Sequence, residues 1–285
     1  MTTHNTAPNQ FVDADGVRYA YRRFGKPNGT PLLLLPHFIS TMDWWDPDLT
    51  DGLAKSREVV IFDNRGVGLT SGETPNRIEK MADDAHAFIH ALGLAQLDVL
   101  GFSIGGMVAQ ELVLNYPEDV RKLMLAGTGP RGGAGMQEAK PHVLKALTDA
   151  GPDLKSARPF LFFSQSENGQ AAAQQFMART AERKVDLDPG PSMQTMQAQG
   201  EALGEWGLAA SHADFMSRLR GLKQPTLVMN GNDDIMVDTV NSYTVSQAIP
   251  RAQLVIYPDS GHGALFQYAA LFVQHANLFL DQNDI

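Results

Sequence analysis

Six short aliphatic runs, separated by longer segments with helical spacing, most constrain the fold of this chain. The runs are rich in aliphatic and β-branched residues and bounded by Gly, Pro or Asp, which is typical of strands buried on both faces of a parallel sheet. They are residues 31–35, 59–62, 97–101, 122–126, 226–229 and 253–257. Between them, residues 78–92, 104–115, 239–249 and 264–280 space apolar side chains as helices do. The alternation predicts an α/β fold, a mostly parallel twisted sheet with helices on both faces.

Two segments depart from this alternation. Residues 17–24 alternate apolar and polar side chains and end at a Gly/Pro-rich turn, which predicts an antiparallel strand of a hairpin at the sheet edge. Residues 131–219 open with a flexible Gly-rich stretch and continue with helical segments at 170–184 and 192–206. We therefore expect a core of residues 1–130 and 220–285, interrupted by a helical cap at 131–219.

Composition excludes several classes of protein. The chain has 285 residues, 43% of them hydrophobic, and no Cys, so disorder, disulfide scaffolds and thiol chemistry are excluded. A net charge of −9 disfavours nucleic acid and anionic membranes as partners. The first ten residues lack a basic and an apolar signal region, and the longest aliphatic run is residues 32–35. We expect a cytoplasmic protein with no membrane partner.

The motif that points to chemistry is Gly-Phe-Ser-Ile-Gly-Gly at residues 101–106, where a predicted strand meets a predicted helix. A nucleophile held there needs a sharp turn, and small residues two positions before and after it let the backbones pass. Gly101 and Gly105 meet that demand. The turn would lift the Ser103 hydroxyl above the sheet and aim the N–H groups of the next helix at an anion.

A serine nucleophile needs a base and a group that orients the base. Of eight histidines, His262 lies between two glycines just after the last predicted strand, where open α/β sheets place their sites. After the preceding strand, Asp233, Asp234 and Asp238 compete for the orienting role. Asp234 is the first choice, Asp233 the second, and Asp238 is better suited to cap the helix that follows. The chain order is then Ser, Asp, His.

His86 and His90 form a second cluster, four residues apart on one predicted helix. That spacing suits a metal, but no Glu follows His86 as in the H-E-x-x-H motif, and no third ligand is evident in the sequence. We interpret the pair as part of a solvated or packed helix face. No metal and no organic cofactor is implied.

These motifs resemble the α/β-hydrolase superfamily, in particular its capped esterase, haloperoxidase-like and enol-lactonase-like branch. The resemblance covers nearly all of residues 15–281. It rests on the turn at Ser103, Gly-x-x-Asp at 231–234, Gly-His at 261–262 and the segment Asp-Asn-Arg-Gly-Val-Gly at 63–68, which is similar to a structural turn of the family. It implies about eight strands, a cap after the sixth, and an oxyanion site formed by the backbone N–H groups of Phe38 and Ile104.

The sequence leaves the family pattern after the third strand. Where the family has His-Gly, this chain has Pro36-His37. The His37 ring is either a bystander or a contact for the oxyanion or for a polar substrate group. We place His37, Phe160, Phe163, Met193 and Trp206 in the substrate pocket, although the aromatic cluster at 159–163 is equally suited to the core of the cap.

The expected function is hydrolysis of a small to medium, largely apolar carboxylic ester or lactone by Ser103, His262 and Asp234. Alternatives with the same residues are perhydrolase or haloperoxidase-like activity, carbon–carbon bond hydrolysis, cofactor-free oxygenation, and a small-molecule receptor without turnover. The partner is a small-molecule substrate. The oligomeric state stays open, with a homodimer as one option.

Overall fold

The computed structural model describes residues 2–27, 29–138, 140–151 and 154–282. Its centre is an eight-stranded sheet with the order β1-β2-β4-β3-β5-β6-β7-β8. The strands are β1 (Gln10–Ala14), β2 (Val17–Gly25), β3 (Leu32–Leu35), β4 (Glu58–Phe62), β5 (Leu97–Phe102), β6 (Val120–Ala126), β7 (Thr226–Gly231) and β8 (Ala252–Tyr257). Strands β3 to β8 run parallel, and β2 is antiparallel to both β1 and β4. The mostly parallel α/β sheet predicted from the six aliphatic runs is confirmed.

The edge of the sheet differs from the prediction. Strand β2 was expected at the edge, but β1 lies outside it and is joined to it by a turn at Asp15 and Gly16, both with positive φ. The side chains of β1 alternate between exposed and half-buried, so the strand carries no aliphatic run. An edge strand of this kind has no sequence signal as strong as a buried one.

Eleven helices surround the sheet in the described part of the chain. They are α1 (Pro47–Ala54), α2 (Ile78–Ala91), α3 (Ile104–Asn115), α4 (Pro141–Ala150), α5 (Arg158–Phe162), α6 (Glu167–Arg179), α7 (Met193–Trp206), α8 (His212–Arg220), α9 (Val240–Ala248), α10 (Ala264–Gln267) and α11 (Ala269–Asp281). The last predicted helix is in fact two, α10 and α11, which meet at Tyr268. The other three predicted helices of the core correspond to α2, α3 and α9.

The sheet has a buried apolar layer on each face. In β3, Leu32 and Leu34 join the layer under α1, α10 and α11, whereas Leu33 and Leu35 join the layer under α2, α3 and α9. Side chains of a strand alternate between its faces, so a wholly aliphatic strand can serve both layers at once. This is why the predicted strands contain so few polar residues.

Helices α4 to α8 all lie between β6 and β7 and are called the cap below. They fall in the predicted stretch 131–219, except that α8 ends one residue later, at Arg220. The cap also contributes to the core layers, since Phe162, Phe163 and Phe176 belong to the layer that holds α10 and α11. Among the described residues, no helix combines the length and the apolar character that crossing a bilayer requires.

A buried cluster of charges joins the cap to the core. The guanidinium of Arg22, on β2, is fully buried and contacts the Asp43 carboxylate at 2.7 Å and the Asp188 carboxylate at 3.5 Å. Asp188 lies between α6 and α7. The backbone N–H of Asp188 donates to Asp43 Oδ2 at 2.7 Å, and the N–H of Asp43 donates back to Asp188 Oδ2 at 3.2 Å. The reciprocal bonds fix this cap segment against the loop after β3.

The first prediction concerns the pH dependence of this cluster. Burial, with the nearby Asp43 carboxylate, raises the pKa of Asp188 from 3.8 to about 6. The folded state therefore binds a proton more tightly than the unfolded state, and the contribution of Asp188 to stability falls as pH rises from about 4 to about 6. Asn does not titrate, so the free energy of unfolding of Asp188→Asn relative to the parent should rise across that window, by at most about 3 kcal/mol.

Urea unfolding at half-unit pH steps measures this difference. The matched control is Asp186→Asn, because Asp186 is exposed and two residues away. Its free energy of unfolding relative to the parent should change little over the same window. A relative stability of Asp188→Asn that stays flat or falls as pH rises would contradict the assignment.

Candidate active site

Ser103 lies on a strained turn between β5 and α3. Its φ of 57° and ψ of −121° are unusual for a residue with a side chain. A Cβ on Gly101 would lie 2.4 Å from the carbonyl oxygen of Gly105, and a Cβ on Gly105 would lie 2.1 Å from that of Leu35. The backbones of β3, β5 and α3 therefore meet at distances that only glycine permits, which is the constraint read from the sequence motif.

His262 and Asp234 are hydrogen bonded to each other. The Nδ1 of His262 lies 2.8 Å from Asp234 Oδ2, and both side chains are buried. The other oxygen of Asp234 accepts the backbone N–H groups of Met236 at 2.8 Å and Val237 at 3.0 Å. These three bonds hold the carboxylate in one orientation.

The two competing aspartates lie elsewhere. Asp233 is exposed, and Asp238 pairs with the ammonium of Lys140. The expectation that Asp238 caps the helix after it is wrong, because no side chain caps the start of α9 and the Asp238 carboxylate is engaged by Lys140. Of the three candidates named from the sequence, Asp234 is the one that contacts His262.

The hydrogen bond to Asp234 determines which nitrogen of His262 is available. A carboxylate only accepts, so Nδ1 carries the proton and Nε2 carries a lone pair in the neutral ring. Nε2 is buried and has no hydrogen-bond partner among the described residues. The rings of Phe102 and Phe162 pack against the imidazole, with centroids 5.0 and 5.7 Å away. The ring is thus fixed in the tautomer that a general base needs.

Ser103, His262 and His37 line one cavity of about 40 Å³. Arg158 also lines it, and its guanidinium lies 5.0 Å from the centre of the Trp44 ring. The other lining side chains are apolar: Phe38, Ile39, Trp44, Leu147, Leu154, Leu161, Phe162 and Met236. Residues of α4 and α5 and of the segment between them form its cap side, so the cap closes directly over Ser103.

The loop after β3 and the start of α3 lie side by side. The carbonyl oxygens of Leu35 and Pro36 face Gly105, the second residue of α3. Ile104 is the first residue of that helix, a position whose N–H has no acceptor within the helix. The N–H of Ile39 donates to Gln199 of α7 at 2.6 Å. Phe38 lines the cavity, so both residues named as oxyanion donors border the region of Ser103.

Four of the five predicted pocket residues do not line this cavity. Phe160 is 38% exposed and lines a separate surface hollow, and Met193 at the start of α7 is 77% exposed. Phe163 packs on Phe176 in the layer that holds α10 and α11, and Trp206 is buried against Phe215. Apolar character alone did not distinguish a pocket face from a packing face, because that depends on how each helix is rotated. Of the five, His37 is in the cavity.

Some of the residues that line the cavity belong to segments that stand out in the sequence, and others do not. Phe162 belongs to the aromatic cluster at 159–163, whereas Trp44 lies in the segment Asp-Trp-Trp at 43–45, which is not part of any motif of the predicted site. Arg158 carried no signal, since one arginine before a proline is common in loops. Its position depends on the packing of α5 against the loop that carries His262.

The comparisons with known proteins agree with this architecture. A family model described as the alpha/beta hydrolase fold matches residues 30–268. An alpha/beta hydrolase fold protein from Chitinophaga pinensis is 39% identical, with a TM-score of 0.92, and the match covers 99% of this chain and 100% of that one. Est816, described as an N-acyl homoserine lactone degrading enzyme, is 25% identical, with a TM-score of 0.73 and coverage of 95% and 100%.

A curated relative gives the same result at the level of sequence. The poly(3-hydroxyalkanoate) depolymerase of Ectopseudomonas oleovorans is 30% identical over 276 residues, which are 95% of this chain and 91% of the relative. The family model spans most of the chain, and the observed eight-stranded sheet agrees with it. The chain therefore belongs to the α/β-hydrolase fold family.

Proposed function

We propose that this protein is a serine hydrolase that cleaves a small to medium, largely apolar carboxylic ester or lactone through an acyl-enzyme. The observation that carries the proposal is the bond from His262 to Asp234. It leaves the buried Nε2 of His262 with its lone pair at the cavity that Ser103 lines. A base in this state, beside a hydroxyl on a strained turn, suits acyl transfer.

The reaction would use these groups in order. Ser103 Oγ attacks the carbonyl carbon while its proton moves to His262 Nε2. The N–H groups of Phe38 and Ile104 stabilise the negative charge on the carbonyl oxygen. The bond to the alkoxide breaks, and the leaving oxygen takes the proton from His262. Water then attacks the acyl-enzyme by the same steps, and the acid is released. Asp234 keeps the proton of the neutral ring on Nδ1 throughout.

The shape of the cavity supports the substrate class. Most of its lining is apolar and its volume is about 40 Å³, far below that of a typical ligand pocket. We propose that a short acyl group occupies it and that a larger substrate requires the cap helices α4 and α5 to move. The relatives' activities on a polyester and on a lactone support ester or lactone cleavage.

A panel of p-nitrophenyl esters of graded acyl length, assayed beside simple lactones, tests the substrate class. We expect turnover to be highest for the shortest acyl chains and to fall as the chain lengthens, because residues of α4 and α5 cover the small cavity. Turnover absent across the whole panel, together with tight binding of one ligand, would favour the receptor alternative instead.

Removing the nucleophile is the second prediction. Ser103→Ala should fold as the parent does and lose activity by about 10⁴-fold or more, because the turn needs its glycines but not the hydroxyl. A fluorophosphonate probe should label the parent and the control Ser56→Ala, whose serine is exposed, but not Ser103→Ala. Activity above a tenth of the parent's would exclude Ser103 as the nucleophile.

The third prediction separates the two adjacent aspartates. Asp234→Asn should lower kcat by about 10³-fold or more, because an amide can donate to His262 and favour the wrong tautomer. Asp233→Asn is the matched control, since Asp233 is exposed, and its kcat should stay within about threefold of the parent's. The reverse order of effects would show that the acid was assigned one residue too late.

The fourth prediction concerns His37. Its Nδ1 lies 3.1 Å from the carbonyl oxygen of Phe38, so Nδ1 is the donor. Burial, with the nearby charge of Arg158, holds the pKa of His37 well below its usual range. The ring is therefore neutral and its Nε2 can only accept a hydrogen bond. We propose that it accepts one from the substrate and gives no stabilisation to an oxyanion.

His37→Phe keeps an aromatic ring among its neighbours Phe102 and Phe162 and removes the acceptor. We expect kcat/KM for esters with a hydroxyl near the carbonyl to fall by about tenfold, which is the usual effect of one hydrogen bond. Esters without such a group should change little. A fall in kcat of about 10²-fold for every ester, with KM unchanged, would instead show that the ring stabilises the transition state.

A further inference from the structure

A second cluster of titratable side chains lies outside the cavity of Ser103. His86 and His90 share one face of α2, and the sequence offered them no third ligand. The structure supplies Asp119, from the turn between α3 and β6. His86 Nδ1 lies 2.6 Å from Asp119 Oδ2, and His90 Nε2 lies 3.1 Å from Asp119 Oδ1. One ligand atom from each residue lies within 4.8 Å of the other two.

We propose that these three residues bind a transition-metal cation of the zinc class, with water completing the coordination. Two imidazole nitrogens and a carboxylate oxygen are donors that Zn²⁺ accepts, and a tetrahedral site needs donors roughly 3.4 Å apart, given metal–ligand distances of about 2.0–2.1 Å. The three donor atoms already lie within 4.8 Å of one another, so rotation of the side chains can bring them to that spacing. None of the three residues lines the cavity at Ser103, so this site is separate from the chemistry proposed there.

The surroundings hold two of the ligands in place before any ion arrives. The ring of His86 stacks on that of Tyr116, with centroids 3.7 Å apart and planes within 10°. The Tyr116 hydroxyl donates to Asp83 Oδ1 at 2.9 Å, which fixes the stacking partner. The backbone carbonyl of Asp119 accepts the N–H of Leu97 at 2.9 Å. Partners of this kind orient metal ligands and raise affinity.

Burial and charge favour entry of a cation from one side. The carboxylate of Asp119 is 1% exposed, whereas the side chain of His90 is 57% exposed and can turn toward an incoming ion. On binding, the N–H proton of each neutral ring moves to its other nitrogen, and the metal takes the place of the two protons that face Asp119. The negative net charge of the chain adds a weak attraction.

Zinc binding should also stabilise the fold. The ion would link α2 to the turn after α3, and a ligand that binds only the folded state raises stability. We expect isothermal titration of ZnCl₂ into the EDTA-treated, dialysed protein without a histidine tag, at pH 7.5, to give one equivalent bound. The Tm should rise by about 2–5 °C at saturating zinc. Mg²⁺ prefers oxygen ligands and should give neither effect.

His90→Ala should lose the bound equivalent and the rise in Tm, while its ester turnover without zinc stays that of the parent. The matched control is His142→Ala, because His142 is exposed and outside the cluster, and it should bind zinc as the parent does. The inference is overturned if the parent shows no saturable binding, if His90→Ala binds equally well, or if His142→Ala loses the site. Because binding is measured without substrate, this test fails or succeeds independently of the proposed hydrolase activity.

Discussion

The approach of Gly105 to the carbonyl of Leu35 is the contact on which the rest of the site depends. There the backbone at the end of β3 passes so close to the start of α3 that no side chain fits between them. This contact holds the loop after β3 against the start of α3, and Ser103 lies on the turn just before that helix. Two loops distant in sequence are thus held in register by backbone sterics, which vary less than side-chain packing does.

The two buried histidines of the cavity share one aromatic shell and differ in their hydrogen-bond partners. Phe102 and Phe162 contact both rings. His262 has a carboxylate partner and His37 has a backbone carbonyl. In a poorly solvated site a neighbouring carboxylate can stabilise a ring that gains a proton, whereas a carbonyl leaves that proton costly. The same surroundings therefore suit one histidine to move protons and the other to stay neutral.

Local patterns predicted the fold and much of the candidate site, and contacts between distant segments account for what was missed. The aliphatic runs and the glycines around Ser103 report constraints within a few residues, so they could be read directly. Strand β1 is half-exposed and leaves a weak pattern. Which cap residues face the cavity depends on how each cap helix is rotated about its axis. The apolar character of Met193 and Trp206 does not reveal that rotation. Asp119 lies about thirty residues from the histidines it contacts, so no spacing rule could find it.

The hydrogen bond from the Gly263 N–H to the Phe162 carbonyl, 2.7 Å long, joins the cap to the loop that carries His262. A Cβ on Gly263 would also lie 2.7 Å from the Cβ of Phe162, so the two segments fit as a matched pair. Replacing the cap by that of a relative would therefore also replace one of the contacts that position the loop of His262. A chimera that takes the cap alone would place it against a loop of His262 that it does not fit. A chimera that transfers residues 261–263 together with α5 keeps the contact between Gly263 and Phe162. Substrate specificity would then be exchanged between members of this family by moving these two segments together.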